Sequence, residues 1–73
     1  MAAITTQELE TRFTYHAPKG DQPARYVELR DAAKTFAELI VAKTPVSREQ
    51  SLALTDLEQA VMWANAAIAR REI

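Results

Sequence analysis

The sequence has no cysteine and a single histidine, His16, among its 73 residues. The first absence removes disulfides, and the two together argue against a structural zinc site. A chain without cysteine also fits a reducing cytosol. Charge of one sign is lacking: nine Lys and Arg stand against ten Asp and Glu, for a net charge of −1. No global basic field exists to hold a nucleic-acid polymer, so any anion site must be a local arrangement of cations. No stretch approaches the ~20 apolar residues that a membrane span requires. The amino terminus, Met1-Ala2-Ala3-Ile4-Thr5-Thr6, has neither the basic region nor the apolar run of a secretory signal. Gly-rich phosphate loops, nucleophile elbows and paired metal-ligand motifs are missing too. The expectation is a binder and not an enzyme, with no metal and no cofactor.

What is present is helical. Seventy-three residues suffice for one small domain, 1–73, which buries only roughly 60% of its unfolded surface. Scaffolds of this size need support, and without disulfides or metal that support is partner chains. Thr5 and Glu8 have the spacing of a capping box, and Ile4 and Leu9 that of a hydrophobic staple, opening a short helix over about 5–12. Residues 13–22, FTYHAPKGDQ, are irregular: Pro18 biases Ala17 toward extended backbone, and Gly20 supplies turn freedom. Asp21 or Gln22 opens a second helix over about 23–43, with Pro23 in its first turn. Tyr26, Leu29, Ala33, Phe36 and Ile40 form its packing seam. Pro45 closes it. Ser47 and Gln50 form a second capping box for a third helix over about 48–71, whose seam is Leu54, Leu57, Val61, Ala64 and Ile68. The short connector makes the two long helices antiparallel neighbours. The fold class is all-α.

Residues 60–69 read AVMWANAAIA, with Asn65 the one polar residue in nearly three turns. A helix apolar on every face is normally buried on every face. One hairpin and a short helix cannot cover it, so neighbouring copies of the chain are expected to. Asn65 is either a partly exposed or backbone-bonded amide, or a buried polar pair that fixes the register of the oligomer.

Two groups of residues suit a small anion. Phe13, Tyr15 and His16 place flat rings beside Lys19, and rings that stack on bases next to cations that meet phosphates make a nucleotide-sized site. The alternative is that Phe13 and Tyr15 pack the loop onto the helices. Tyr26, Arg30 and Lys34 fall four apart on one stripe of the second helix, where Asp31 and Glu38 can offset the two cations or an anion can sit between them. Arg70 and Arg71 end the third helix, a place where cations complement the helix dipole; gathered around a symmetry axis they would form a ring for phosphates.

The segment FTYHAPKGDQPARY, residues 13–26, resembles the phage anti-CBASS family of cyclic-oligonucleotide sponges, and SREQSLALTDLEQAVMWANAAIARRE, residues 47–72, resembles the same family's C-terminal half. The resemblance implies small helical subunits in a compact symmetric hexamer. It implies binding of cyclic dinucleotides such as 3′,3′-cyclic GMP–AMP between paired subunits, and of cyclic trinucleotides in separate pockets near the three-fold axis. The messenger is held and not degraded, in the cytoplasm of the infected host, so that the defence effector stays inactive. By position, the family's stacking tyrosine falls on Tyr15 and its phosphate-binding cation on Arg30, with Lys34 in competition. The trinucleotide arginine falls on Arg71 or Arg70. The rival expectation is a helical adaptor that binds a protein partner through its apolar third helix.

Overall fold

The structure is a computed structural model and describes residues 3–73; Met1 and Ala2, part of the amino terminus considered above, lie outside it. It is all-helical: α1 (Thr6–Phe13), α2 (Gln22–Lys43) and α3 (Arg48–Arg71), with no strand among the described residues.

Each helix start has a local cause. Thr5 is extended, and its hydroxyl accepts a hydrogen bond from the Glu8 amide at 3.1 Å. Ser47 does the same for the Gln50 amide at 3.1 Å. Both caps form, but the Gln50 side chain does not reach back to its cap. It donates to the Thr44 carbonyl and hydroxyl oxygens, tying α3 to the end of α2. The Glu8 carboxylate faces Arg12 and Arg71 instead. The start of α2 differs: Asp21 caps without a side-chain hydrogen bond and pairs with Arg25 at 3.2 Å. Gly20 sits at φ 57, in the left-handed region that its missing side chain makes accessible.

The seam of α3 is as the spacing predicts: Leu54, Leu57, Val61 and Ala64 are half-buried, and Ile68 is buried at 9% exposure. The seam of α2 differs at one position. Tyr26, Leu29, Ala33 and Ile40 are half-buried, but Ala37 and not Phe36 completes the row, and Phe36 is exposed. From Ala33 a period of 3.6 residues allows either +3 or +4. The methyl group at 37 faces α3, and the phenyl ring at 36 is left outside.

The molecule measures 46 × 33 × 16 Å. Its smallest dimension leaves room for one layer of helices, each about 10 Å across, where a self-sufficient domain needs two. The radius of gyration is 15.8 Å, against roughly 11 Å for a compact chain of this length. The accessible surface is 5961 Å², against roughly 4,500 Å² for a compact monomer of 8.2 kDa. Among the described residues Ile68 is the one buried apolar residue, and no side chain is fully buried. Met62 and Trp63 in the apolar third helix stand exposed. Phe36 on α2 is exposed as well, so the surface carries unburied apolar side chains from both long helices.

Candidate functional site

The open end of the hairpin gathers α1, the loop 14–21, the start of α2 and the end of α3. Two bidentate ion pairs close it. Arg25 grips Glu72 at 2.9 and 2.5 Å, and Arg71 grips Glu8 at 3.0 and 2.6 Å. Gln22, 5% exposed, is the hub beside the first pair: its amide oxygen accepts from the Lys19 amide, and its amide nitrogen donates to Glu72, each at 3.1 Å. Hydrogen bonds from Arg71 and then Arg12 hold the Glu8 carboxyl down to about 2, from an ordinary 4.5. Bonds from Arg25 and then Gln22 hold Glu72 down to about 2. The Arg25 and Arg71 guanidinium groups are correspondingly harder to deprotonate, chiefly through Glu72 and Glu8.

Between these clamps lies a cleft of about 570 Å³, lined by Tyr15, His16, Tyr26, Arg30, Asn65 and Arg70, with Thr11, Arg12 and Thr14 at its α1 edge. That volume falls within the roughly 300–1,000 Å³ typical of small-molecule sites. His16 is positioned by a 2.8 Å hydrogen bond between Nε2 and the Thr11 carbonyl. Tyr15 is 83% exposed and Phe13 82%. Within the chain neither ring packs the loop onto the helices, so that reading is set aside. Phe13 lines neither of the two larger clefts.

The cation stripe on α2 spans two grooves, and Arg30 and Lys34 share one of them. Arg30 borders both the ring cleft and a second groove of about 640 Å³ between α2 and α3, whereas Lys34 borders only the second, among Ala33, Ala37, Leu57 and Val61. The terminal arginines span two spaces as well. Arg70 reaches the ring cleft and also a small cavity of about 200 Å³ beside Trp63. Arg71 borders that cavity and is held by Glu8. Asn65 lines the ring cleft with its amide oxygen buried and without a hydrogen-bond partner. Sequence reasoning missed Gln22, Arg25, Glu72 and Glu8 as the elements that close this end. Their partners lie 47 to 63 residues away, and no local pattern announces them.

The arrangement is suited to a compact anion with flat rings. Tyr15 and Tyr26 offer stacking faces, and Arg30 and Arg70 offer planar forks that match phosphate oxygens. Among the described residues no group of three or more His, Cys, Asp or Glu could hold a metal, and no helix is long and apolar enough to cross a membrane.

Fold and cleft together define a class: a one-layer helical hairpin with a cleft lined by rings and guanidinium groups. The particular family follows from its sequence profile. The profile described as Acb2/Tad1, hairpin domain, matches residues 5–69, and the chain belongs to that family of anti-CBASS sponges. Membership implies a cyclic-oligonucleotide-binding role in countering CBASS, in a family of sponges and not enzymes. No curated protein and no solved structure matches the chain.

Proposed function

We propose that this protein, acting as one helical domain, binds cyclic oligonucleotide second messengers and holds them intact, so that CBASS effectors are not activated in the cytoplasm of the infected bacterial host. Its ligands are cyclic dinucleotides such as 3′,3′-cyclic GMP–AMP, and cyclic trinucleotides at a second site. The observation that carries the reading is the ring cleft, where Tyr15, His16 and Arg30 line one space. Tyr15 stacks on a base and Arg30 meets a phosphate. Lys34 and Phe13 are contacts supplied when a second copy completes the cleft, since neither lines it within one chain. Arg71 and Arg70 serve the trinucleotide, Arg70 from a position shared with the ring cleft.

The working form is a symmetric homo-oligomer, a hexamer. Its support is the single-layer shape and the exposed apolar residues of α2 and α3, among them Phe36, Met62 and Trp63. An adaptor that used the same face for a foreign protein would have no need of the ring cleft.

Calorimetry against a panel of cyclic di- and trinucleotides tests the reading directly. The expected result is saturable binding, with the ligand recovered intact after the protein is denatured. Absence of binding across the panel, or recovery of linear or mononucleotide products, would overturn it.

A further inference from the structure

Glu8 helps to close the open end of the hairpin but does not line the ring cleft. It stands at the third residue of α1, its amide already bonded by the Thr5 cap, and its carboxylate reaches the far end of the chain. Oε1 and Oε2 take both terminal nitrogens of Arg71, at 2.6 and 3.0 Å, while Oε1 also accepts from Arg12 Nε at 3.1 Å. A carboxylate gripped at two points offers a guanidinium what a phosphate would offer it. Arg70, next in sequence, makes no ion pair among the described residues. Beside the two arginines, Trp63 is 69% exposed over the small cavity.

We propose that Glu8 is a built-in competitor for phosphate at Arg71, and so a residue that sets which anions this end of the molecule accepts. A ligand phosphate replaces the Glu8 carboxylate on the Arg71 fork, and Arg12 retains the displaced carboxylate so that it is not left without a partner. The displacement cost is fixed by the protein and is the same for every anion. A lone phosphate engages one fork and gains little over the carboxylate it removes. An anion with several phosphates engages Arg70 as well and overcomes the cost. Glu8 thereby lowers the affinity for each of these anions by the same factor, so that at a given concentration polyphosphorylated ligands still occupy this end while inorganic phosphate and mononucleotides do not. The inference rests on the reading of Arg71 as a phosphate contact, but it concerns any polyanion and not one messenger.

The test is calorimetry on the full chain with two probes, cyclic triadenylate and inorganic tripolyphosphate, after circular dichroism and light scattering show each variant folded and assembled as wild type. Glu8→Gln should bind tripolyphosphate about two- to fivefold more tightly than wild type, as release of one exposed ion pair allows. The control Glu10→Gln, which removes an equal charge from the same helix, should gain less. In an Arg71→Ala background Glu8→Gln should gain no more than the Glu10→Gln control does. Glu8→Asp, whose shorter arm cannot hold the same bidentate grip, should fall between Glu8→Gln and wild type and serves if Glu8→Gln does not fold. Equal gains in the two charge controls, a gain above that of Glu10→Gln that persists without Arg71, or no binding of tripolyphosphate by any variant would overturn the proposal. If tripolyphosphate behaves as expected but cyclic triadenylate does not bind, the assignment of the messenger fails and the competitor stands.

Discussion

The two ends of the hairpin are held together by different chemistry. At the tip, residues 44–50, the bonds are short-range and neutral: the Thr44 hydroxyl to the Ile40 carbonyl, the Gln50 backbone amide to the Ser47 hydroxyl, the Gln50 side chain to Thr44. At the open end they are long-range and charged, joining α1 and the start of α2 to the last residues of the chain. The tip could be written from local sequence rules and does no more than turn the chain. The open end gathers rings, forks and carboxylates from distant segments, and it is there that the ring cleft lies.

The comparison can be broken at several levels. The largest effect is expected outside both ends, on the exposed apolar face. Met62→Glu places a charge where a single subunit is open to water but a neighbour is expected. The proposed hexamer, about six times the 8.2 kDa chain mass, should dissociate. Light scattering reads this, and an unchanged mass would show that the face is not an interface. Next come the cleft residues. Tyr15→Ala and Arg30→Ala should each weaken cyclic dinucleotide binding by about ten- to a hundredfold and leave the assembly whole, since a stacked base or a charge-assisted bond is worth roughly 1–3 kcal/mol. Unchanged affinity in both variants by calorimetry would move the pocket elsewhere.

Smaller effects separate the two ends. Ser47→Ala at the tip should cost about 1 kcal/mol of stability, a fall of roughly 4–8 °C in Tm, with ligand affinity unaltered. A loss of affinity in that variant would mean that the tip takes part in binding. The smallest is a dependence on pH confined to the open end. Glu8 and Glu72 have carboxyls drawn down from 4.5 to about 2, so their contribution is complete above about 4.5 and disappears as pH falls toward 2. The double variant Glu8→Gln/Glu72→Gln should show a flatter acid titration by circular dichroism over that window, while Ser47→Ala should titrate as wild type does. If the double variant titrates no differently, the two clamps contribute nothing to stability.

Much of the fold was legible because its signals are local. Thr5 and Ser47 declare helix starts by spacing, and Pro23 and Pro45 restrict where α2 can begin and end. The seam of α3 followed from periodicity. At Phe36 periodicity was indifferent between two neighbours, and only the approach of α3 decided for Ala37. The site was legible in kind more than in layout. Rings and cations were visible as types, but whether Lys34 shares a cleft with Arg30 depends on how two helices diverge, and Arg70 entered the ring cleft because α3 returns to lie beside α2. Gln22 read as a helix opener; its role as the buried hub exists only once Glu72 is folded back against it.

A body 16 Å thick also has a history in time. In the proposed homo-oligomer a subunit buries its exposed apolar side against copies of itself, so its resistance to unfolding rises with its own concentration. The first copies released by the ribosome are then the most exposed to host proteases, and each further copy lengthens the lifetime of those already made. Such a protein is made durable by abundance, and the speed of its early synthesis matters as much as the strength of its grip.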